Sequence, residues 1–212
     1  NKMEVWIGDK WMIVATSSPN LDGGARAIRA GGQVGGSPYP RTDTMDFVTI
    51  STAGNATDFG NLTQVKFGPA SAGSKTRAVF MTGGTPTRLN EVDFVTFSST
   101  GVVIDTGNLT SSRWLMGGGC SNSTRAIFTG GSTFGSPHPV VNTLDYITMA
   151  SGGDAVDFGD ATIQRRNHAM LASSTRAIMG GGESPSQTNV MDYVEIATLG
   201  NALDFGDLNG VK

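Results

Sequence analysis

A short segment that the chain repeats four times constrains its fold more than any other feature. The copies read ARAIRAGG, TRAVFMTGG, TRAIFTGG and TRAIMGGG, at residues 25–32, 76–84, 124–131 and 175–182. Each copy opens around an arginine, and these arginines are 51, 48 and 51 residues apart: Arg26, Arg77, Arg125 and Arg176. Self-similarity at a fixed period indicates a repeat architecture, in which each unit buries its apolar face against its neighbours.

Two aspartates mark the middle of every unit. The first precedes an aromatic residue in an apolar run, and the second follows it by 12 residues in all four units. The first set is Asp46, Asp93, Asp145 and Asp192. The second set is Asp58, Asp105, Asp157 and Asp204. The central part of the repeat therefore has a fixed length.

The distance from the opening arginine to the first aspartate alternates between 20 and 16 residues. Units one and three are longer because they carry the insertions GSPYP at residues 36–40 and GSPHP at residues 135–139. The alternation favours duplication of a two-unit block. It also identifies one loop of the repeat that is free to vary.

Each unit reads as four short strands. In unit three we predict strands at residues 125–129, 143–150, 155–158 and about 167–173, and place counterparts of the fourth at 66–72 and 113–119. Four strands in about 48–51 residues match the blade of a β-propeller. We therefore predict an all-β fold, a propeller of four four-stranded blades over residues 15–212.

The two ends of the chain predict how such a ring closes. Unit four stops eight residues after Asp204, whereas the other units run 19 or 20 residues from this aspartate to the next arginine. Residues 11–25 stand in the position of the missing strand, so we expect an N-terminal strand to complete the last blade. The alternative is a longer array of which these units are part. Residues 1–14 are predicted to form a connector, with a hairpin around Gly8 and Asp9 in which Trp6 and Trp11 pack across the strands.

Composition excludes several classes of function. A net charge of −3, a pI near 5.3 and no basic stripe argue against nucleic-acid binding. A single cysteine, Cys120, forms neither an intrachain disulfide nor a cysteine-based zinc site, and we expect it to be a small buried residue beside residues 117–119. No apolar run approaches the roughly 20 residues that cross a bilayer, so membrane insertion is not expected.

We interpret the repeated charged residues as structural, because a residue present in every unit serves the unit, whereas an active site needs asymmetry. The eight aspartates are expected to bond turn amides or to pair with the repeated Arg26, Arg77, Arg125 and Arg176.

Metal binding and catalysis find little support in the sequence. Asp154, Asp157 and Asp160 resemble a calcium ligand set, but a repeated turn explains them equally because unit one carries comparable polar residues. His138 and His168 have no nucleophile or carboxylate at a recognisable spacing. We predict no metal, no cofactor and no enzymatic activity. The alternative is a carbohydrate-active enzyme that uses two of the acids unique to one unit: Glu4, Asp9, Asp22, Asp43, Glu91, Glu183 and Glu195.

The residues that differ between units point to binding. The insertions place aromatic and hydrogen-bonding side chains in proline-stiffened loops, which suits a sugar ring and lowers the entropy cost of binding. The candidate ligand-binding residues are Tyr39, Arg41, Arg88, Phe134, His138 and Glu183. The alternative is that these loops pack against a neighbouring protein.

Two resemblances carry these expectations further. The strand that ends in two glycines within a four-stranded unit resembles kelch-type propellers over residues 26–212, although the downstream Tyr and Trp positions of that family have no clear match. TRAIFTGG, LDYITMAS and AVDFGDAT look like a repeat of tail and virion proteins of tailed, notably marine, phages. NKMEVWIGDKW at residues 1–11 is similar to a hairpin that recurs in phage tail and fibre proteins.

The resemblance implies a non-enzymatic structural protein of the virion, in a tail fibre, tail tip or other external appendage. Its loops would contact a glycan or protein receptor on the host surface. Other virion proteins would be its partners in a symmetric assembly. An architectural or decoration protein is the alternative.

Overall fold

The computed structural model describes residues 4–7, 10–13, 26–36, 40–84, 89–114, 116–134, 137–183 and 185–211. All the regular secondary structure in these residues is β-strand, arranged in several antiparallel sheets. The prediction of an all-β fold is therefore confirmed. The part of the chain that is described contains no helix long and apolar enough to span a membrane.

The chain begins with the predicted hairpin. Strands β1 (Glu4–Ile7) and β2 (Lys10–Ile13) pair antiparallel, with Trp6 opposite Trp11. The turn residues Gly8 and Asp9 lie outside the described residues. The two strands of the predicted N-terminal hairpin are thus confirmed.

Four larger sheets follow in chain order, and each is a simple antiparallel meander. Sheet 1 contains β3 (Arg26–Gln33), β4 (Arg41–Thr49) and β5 (Thr57–Asn61). Sheet 2 contains β6 (Ala70–Gly73), β7 (Arg77–Met81), β8 (Glu91–Thr96) and β9 (Val103–Asn108). A pair of two-residue strands, β10 (Arg113–Trp114) and β13 (Ser132–Thr133), forms a separate small sheet beside sheet 3.

Sheets 3 and 4 have the same order as sheet 2. Sheet 3 contains β11 (Gly119–Ser121), β12 (Arg125–Thr129), β14 (Thr143–Thr148) and β15 (Val156–Asp160). Sheet 4 contains β16 (Ala169–Ala172), β17 (Arg176–Gly180), β18 (Val190–Glu195) and β19 (Leu203–Asp207).

The predicted grouping of strands is wrong by one strand. The strand assigned to the end of each unit pairs instead with the arginine strand that follows it, as β16 does with β17. Sheet 4 therefore has four strands without the N-terminal segment that was expected to complete it. Sheet 1 is the one with three described strands. Residues 14–25, which precede its arginine strand, lie outside the described residues.

A tight turn explains this pairing. In sheet 2 the Ser74 amide donates to the Arg77 carbonyl over 2.8 Å, and the Ser74 hydroxyl accepts from the Arg77 amide over 3.2 Å. Asn122 and Ser173 make the corresponding bonds in sheets 3 and 4. A short polar turn of this kind joins two strands as a hairpin, so the strand before the arginine belongs to the same sheet.

In the described residues, apolar side chains pack in three clusters, and each cluster joins two successive sheets. Between sheets 2 and 3, for example, Val79 and Phe94 pack with Phe128 and Ile147. The first strands β6, β11 and β16 lie next to one another and line a cavity of about 420 Å³, whose wall also includes Arg26 and Ile28 of sheet 1.

The paired glycines bring the sheet edges close together. Gly130 has a φ of 65°, and a Cβ atom on it would lie 2.2 Å from the Arg165 carbonyl oxygen. The next amide, from Gly131, donates to that same oxygen over 2.8 Å. Only glycine combines this backbone conformation with so close a contact.

Candidate functional site

The first aspartate of units two, three and four is fully buried and paired with a buried cation. The cation comes from the linker that precedes the sheet, and the pairs are Lys66 with Asp93, Arg113 with Asp145, and Arg165 with Asp192. Each aspartate lies at a β-bulge, where the register shifts by one residue and redirects the side chain. A charge in this position is tolerated because its partner is equally buried.

Further bonds hold the Asp145 carboxylate in place. The Thr110 hydroxyl donates to it over 2.8 Å, while Arg113 also donates to the Thr143 carbonyl over 3.0 Å. Burial raises the pKa of Asp145 and lowers that of Arg113, and the attraction between the two groups opposes both shifts. The carboxylate is thus occupied by protein partners and closed to solvent.

The second aspartates make short-range hydrogen bonds inside the last strand of each sheet. Asp58, Asp105, Asp157 and Asp204 each accept a hydrogen bond from the amide of the glycine two residues later, over 3.0–3.2 Å. This is a local Asx-type turn, which needs an acceptor at that position in every unit.

One of the two expectations for the repeated aspartates, that they pair with the repeated arginines, is wrong. Arg26, Arg77 and Arg125 instead donate to main-chain carbonyls of the next sheet, those of Phe97, Met149 and Ile196 respectively, over 2.7–3.2 Å. All four repeated guanidiniums stack over an aromatic ring of their own sheet at 4.4–5.4 Å. Arg176 bonds Glu195 within sheet 4.

Sequence reasoning missed the buried cations themselves. Lys66, Arg113 and Arg165 each follow the second aspartate of the preceding unit by eight residues, a spacing that is visible in the sequence. The residue type changes from lysine to arginine at this position, so the repeat does not mark it as one conserved charge.

Asp46 of the first sheet has a different environment. Its side chain is partly exposed, and its cation is Arg29 of its own sheet at 3.9 Å. Its position on sheet 1 is that of Asp93, Asp145 and Asp192 on the later sheets, which receive a cation from the linker before their sheet.

Neither the histidines nor the cysteine form a catalytic arrangement in the described residues. His168 is buried, neither ring nitrogen has a hydrogen-bond partner, and burial lowers its pKa to about 3. His138 is exposed in the insertion of sheet 3. Cys120 is buried as predicted, and burial raises its thiol pKa to about 12, so the nucleophilic thiolate does not form near neutral pH.

Two of the three suggested calcium ligands accept main-chain amides, and Asp154 does so across the contact between sheets 2 and 3. The Asp154 carboxylate accepts from the Asn108 amide over 2.8 Å, and Asp157 accepts from Gly159. Across the described ranges, no three His, Cys, Asp or Glu side chains come together as a metal site.

One edge of the sheets carries the variable residues, and we name it the loop face. It comprises the described parts of the loops between the arginine strand and the next strand (34–40, 82–90, 130–142 and 181–189) and of the linkers between sheets (62–69, 109–118 and 161–168). Loop and linker are bonded to each other: Phe67 bridges Gly84, Trp114 pairs with Ser132, and Arg166 bridges Glu183.

Four of the six predicted binding residues are described: Phe134, His138 and Glu183 lie in the loop face, and Arg41, the first residue of β4, adjoins it. The Arg41 guanidinium lies 5.9 Å from the centre of the Phe67 ring, and the Phe134 side chain is 77% exposed. His138 is exposed with a φ of 69°. Glu183 accepts bonds from Arg166 and Asn167, and Tyr39 and Arg88 lie outside the described residues.

The four described residues come from three different sheets. Arg41 belongs to sheet 1, Phe134 and His138 to sheet 3, and Glu183 to sheet 4. None of them lines the three cavities described, of about 420, 360 and 120 Å³. An exposed surface with aromatic and cationic groups suits recognition of an extended ligand more than enclosed chemistry.

Comparison of the sequence with known proteins finds no family model and no curated protein that matches it. A function for the chain therefore has to be argued from the sheets, the loop face and the repeat.

Proposed function

We propose that the chain is a non-enzymatic, propeller-type module of a tailed-phage virion and that its loop face contacts the host surface. It would belong to a tail fibre, tail tip or other external appendage, with other virion proteins as partners. The proposal rests on the amino-acid sequence of the repeat, on the placement of the repeated charged residues and on the exposure of the variable residues.

One observation carries the non-enzymatic part of the proposal. Every repeated acid that is described as buried, Asp93, Asp145 and Asp192, is held by a cation from the same chain. The second aspartates are exposed, and each accepts the amide of a glycine in its own strand. An acid that must donate or accept a proton during a reaction needs access to the reacting group, and the three buried acids have none.

The arrangement of the sheets supports the propeller part. Successive sheets pack face to face through three apolar clusters, and the first strands of sheets 2, 3 and 4 lie side by side around one cavity. Blades that radiate from a central axis have both properties. We propose four blades, one for each of the sheets 1–4.

The chemistry of the loop face supports a glycan or protein receptor as the ligand. The Phe134 side chain is 77% exposed, and Arg41 presents a cation beside the Phe67 ring. Aromatic faces stack on sugar rings, while a guanidinium donates several hydrogen bonds in one plane. Pro137 and Pro139 restrict the loop that carries His138, which lowers the entropy cost of binding.

Binding to an array of immobilised bacterial surface glycans and to whole host cells tests the proposal. The test variant is Arg41→Ala with Phe134→Ala. The matched control is Lys75→Ala with Leu199→Ala, which removes an exposed cation and an exposed apolar side chain from turns at the opposite edge. We expect the wild type and the control to bind and the loop-face variant to lose at least tenfold in affinity.

Three results would contradict the proposal in different ways. Equal binding by all three proteins would remove the loop face from recognition. The absence of binding to glycans and cells would favour an architectural role in the particle. Turnover of a bound glycan that is abolished by substituting one unique acid, such as Glu91→Gln, would show an enzyme.

A further inference from the structure

The two ends of the sheet stack expose faces that the inner sheets bury. Each of the three apolar clusters uses one face of a sheet and the opposite face of the next sheet. In the described part of the chain, no cluster joins sheet 4 to sheet 1. One face of each end sheet is therefore left without the neighbour that its equivalents have.

On sheet 1 the uncovered positions are apolar. Ile50 is 68% exposed, whereas its equivalents Met149 and Ile196 in sheets 3 and 4 are 2% and 0% exposed, and Phe97 in sheet 2 is half-buried. Ala27 is exposed in the same way, although the alanine that follows the arginine in the three later sheets is buried. This face has the composition of an interface.

On sheet 4 the opposite face is uncovered. Phe205 is 46% exposed, while its equivalents Phe59 and Phe158 are 1% and 2% exposed. Ile178 and Met191 line a cavity of about 360 Å³ on this face, and Leu208 borders it. In a monomeric soluble protein, adjoining exposed apolar residues of this kind mark a contact surface.

The polar groups of the two faces are also complementary. Arg26, Arg77 and Arg125 each donate to a carbonyl in the turn of the following sheet. For Arg176 the equivalent acceptor is the carbonyl of Ile50, which belongs to the exposed turn of sheet 1. Arg176 bonds the exposed Glu195 instead, within its own sheet.

The spacing that supplies the buried cations continues into the last unit. Thr63, Thr110 and Thr162 follow their second aspartates by five residues and donate to the aspartate of the next sheet. Asn209 stands five residues after Asp204, and Lys212, which lies outside the described residues, stands eight residues after it. This spacing predicts a hydrogen-bond donor and a cation for Asp46.

We propose that the uncovered face of sheet 4 packs on the uncovered face of sheet 1 of the same chain, which makes a fourth inter-sheet contact equivalent to the other three. The inference depends on the blade arrangement proposed above but not on ligand binding. It replaces closure by an N-terminal strand with closure by face-to-face packing.

The shared cavity favours the same chain over a second copy. Arg26 and Ile28 of sheet 1 and Met170 and Leu171 of sheet 4 line the same 420 Å³ cavity, so the two ends already face each other. Two surfaces held this close have an effective concentration of roughly millimolar or more, which a separate molecule seldom matches.

One residue of the sheet 1 face departs from the repeat. Arg29 occupies the position of Phe80, Phe128 and Met179, which are buried in the later sheets. Its guanidinium lies 3.9 Å from Asp46, the carboxylate that the fourth contact would bury. Arg29 thus supplies neutralising charge where an unpaired carboxylate would oppose packing.

An engineered disulfide tests the proposal. In the contact between sheets 3 and 4, the Ala202 amide donates to the Asp160 carbonyl over 2.8 Å, and the equivalent residues at the fourth contact are Ala56 and Asp207. The test protein carries Ala56→Cys with Asp207→Cys, and the control carries Asp160→Cys with Ala202→Cys. Cys120 stays in both because its buried, protonated thiol does not compete.

We expect both proteins to form an intramolecular disulfide, seen as a monomer that changes mobility only on a non-reducing gel. A crosslink in the control but not in the test protein would overturn the proposal. Crosslinked dimers and ladders from the test protein alone would overturn it in favour of a second copy. Both crosslinking results are obtained without a ligand, so they do not depend on the outcome of the binding experiment.

Amide hydrogen exchange on the wild type provides an independent reading. The Asp160 amide donates to Asn201 across the contact between sheets 3 and 4, and Asp207 is its equivalent in sheet 4. If sheet 4 packs on sheet 1, the exchange rate of the Asp207 amide should lie within tenfold of that of the Asp160 amide. Exchange of Asp207 at the rate of a free terminal strand would contradict the proposal.

Discussion

The guanidinium of Arg165, in the linker after sheet 3, lies 2.5 Å from the carboxylate of Asp192 in sheet 4, and both side chains are fully buried. The contact ties two sheets together through charges that are withdrawn from solvent. Replacing Arg165 by methionine would keep most of the volume and leave the Asp192 carboxylate buried without its cation. We expect a loss of about 3–5 kcal/mol in the free energy of unfolding, measured in urea.

The adjacent arginine supplies the control for this substitution. Arg166 pairs with Glu183 at 3.1 Å, and about a third of each side chain is exposed. Arg166→Met should therefore cost about 1 kcal/mol or less, since solvent screens the pair. Equal losses for the two variants would show that burial does not set the strength of the Arg165 pair.

His168 makes stability depend on pH. Burial lowers its pKa to about 3, with a smaller contribution from Arg165. The unfolded imidazole takes up a proton as the pH falls below about 6.5, whereas the folded one stays neutral, so stability present above pH 6.5 is lost towards pH 3. We expect this group to contribute up to about 1.4 kcal/mol per pH unit in that range.

Urea unfolding at pH 7.5 and pH 5 measures this dependence. His168→Leu should reduce the difference in stability between the two pH values. A wild-type difference that persists in His168→Leu would assign the pH dependence to other groups.

Gly130 and Gly68 separate the effect of backbone conformation from that of close packing. Their φ angles are 65° and 61°, but a Cβ atom on Gly130 would meet the Arg165 carbonyl at 2.2 Å, whereas a Cβ atom on Gly68 meets nothing within 4 Å. Gly68→Ala should cost about 1–2 kcal/mol for the left-handed conformation alone. Gly130→Ala should lower the thermal midpoint several degrees further, and equal midpoints would refute the close contact between sheets.

Arg125 and Arg176 compare an inner contact with the fourth contact. Arg125 donates to the Ile196 carbonyl over 2.7 Å, so Arg125→Gln should cost about 1.5 kcal/mol. If sheet 4 packs on sheet 1, Arg176→Gln should lower the thermal midpoint by a similar amount, because Arg176 then donates to Ile50. A midpoint unchanged by Arg176→Gln would argue that the fourth contact does not form.

The sequence predicts the strands better than it predicts their partners. The apolar runs around Asp145 and Asp157 predict the two strands that contain these aspartates, because such a run reports local structure. Which strand joins which sheet depended on the turn at Asn122, whose side chain accepts two main-chain amides at 2.9 Å. The periodic pattern does not report this turn chemistry, which resides in a single side chain.

The candidate site was predicted less completely, for a different physical reason. Variable loops can be recognised because Pro137 and Pro139 interrupt a repeat that is otherwise regular. Whether Arg41 stacks on Phe67 or Glu183 bonds Arg166 depends on contacts between segments far apart in sequence. The periodic pattern contains no information about such contacts, so it indicates the face but not the arrangement on it.

The most direct test of the proposed function is the position of this chain in an intact phage particle, determined by electron cryo-microscopy. The proposal predicts that the chain lies on the tail or another external appendage, with Arg41, Phe134 and His138 facing solvent at its distal side. A chain whose loop face is buried against other virion proteins, or a particle that lacks the chain, would contradict it.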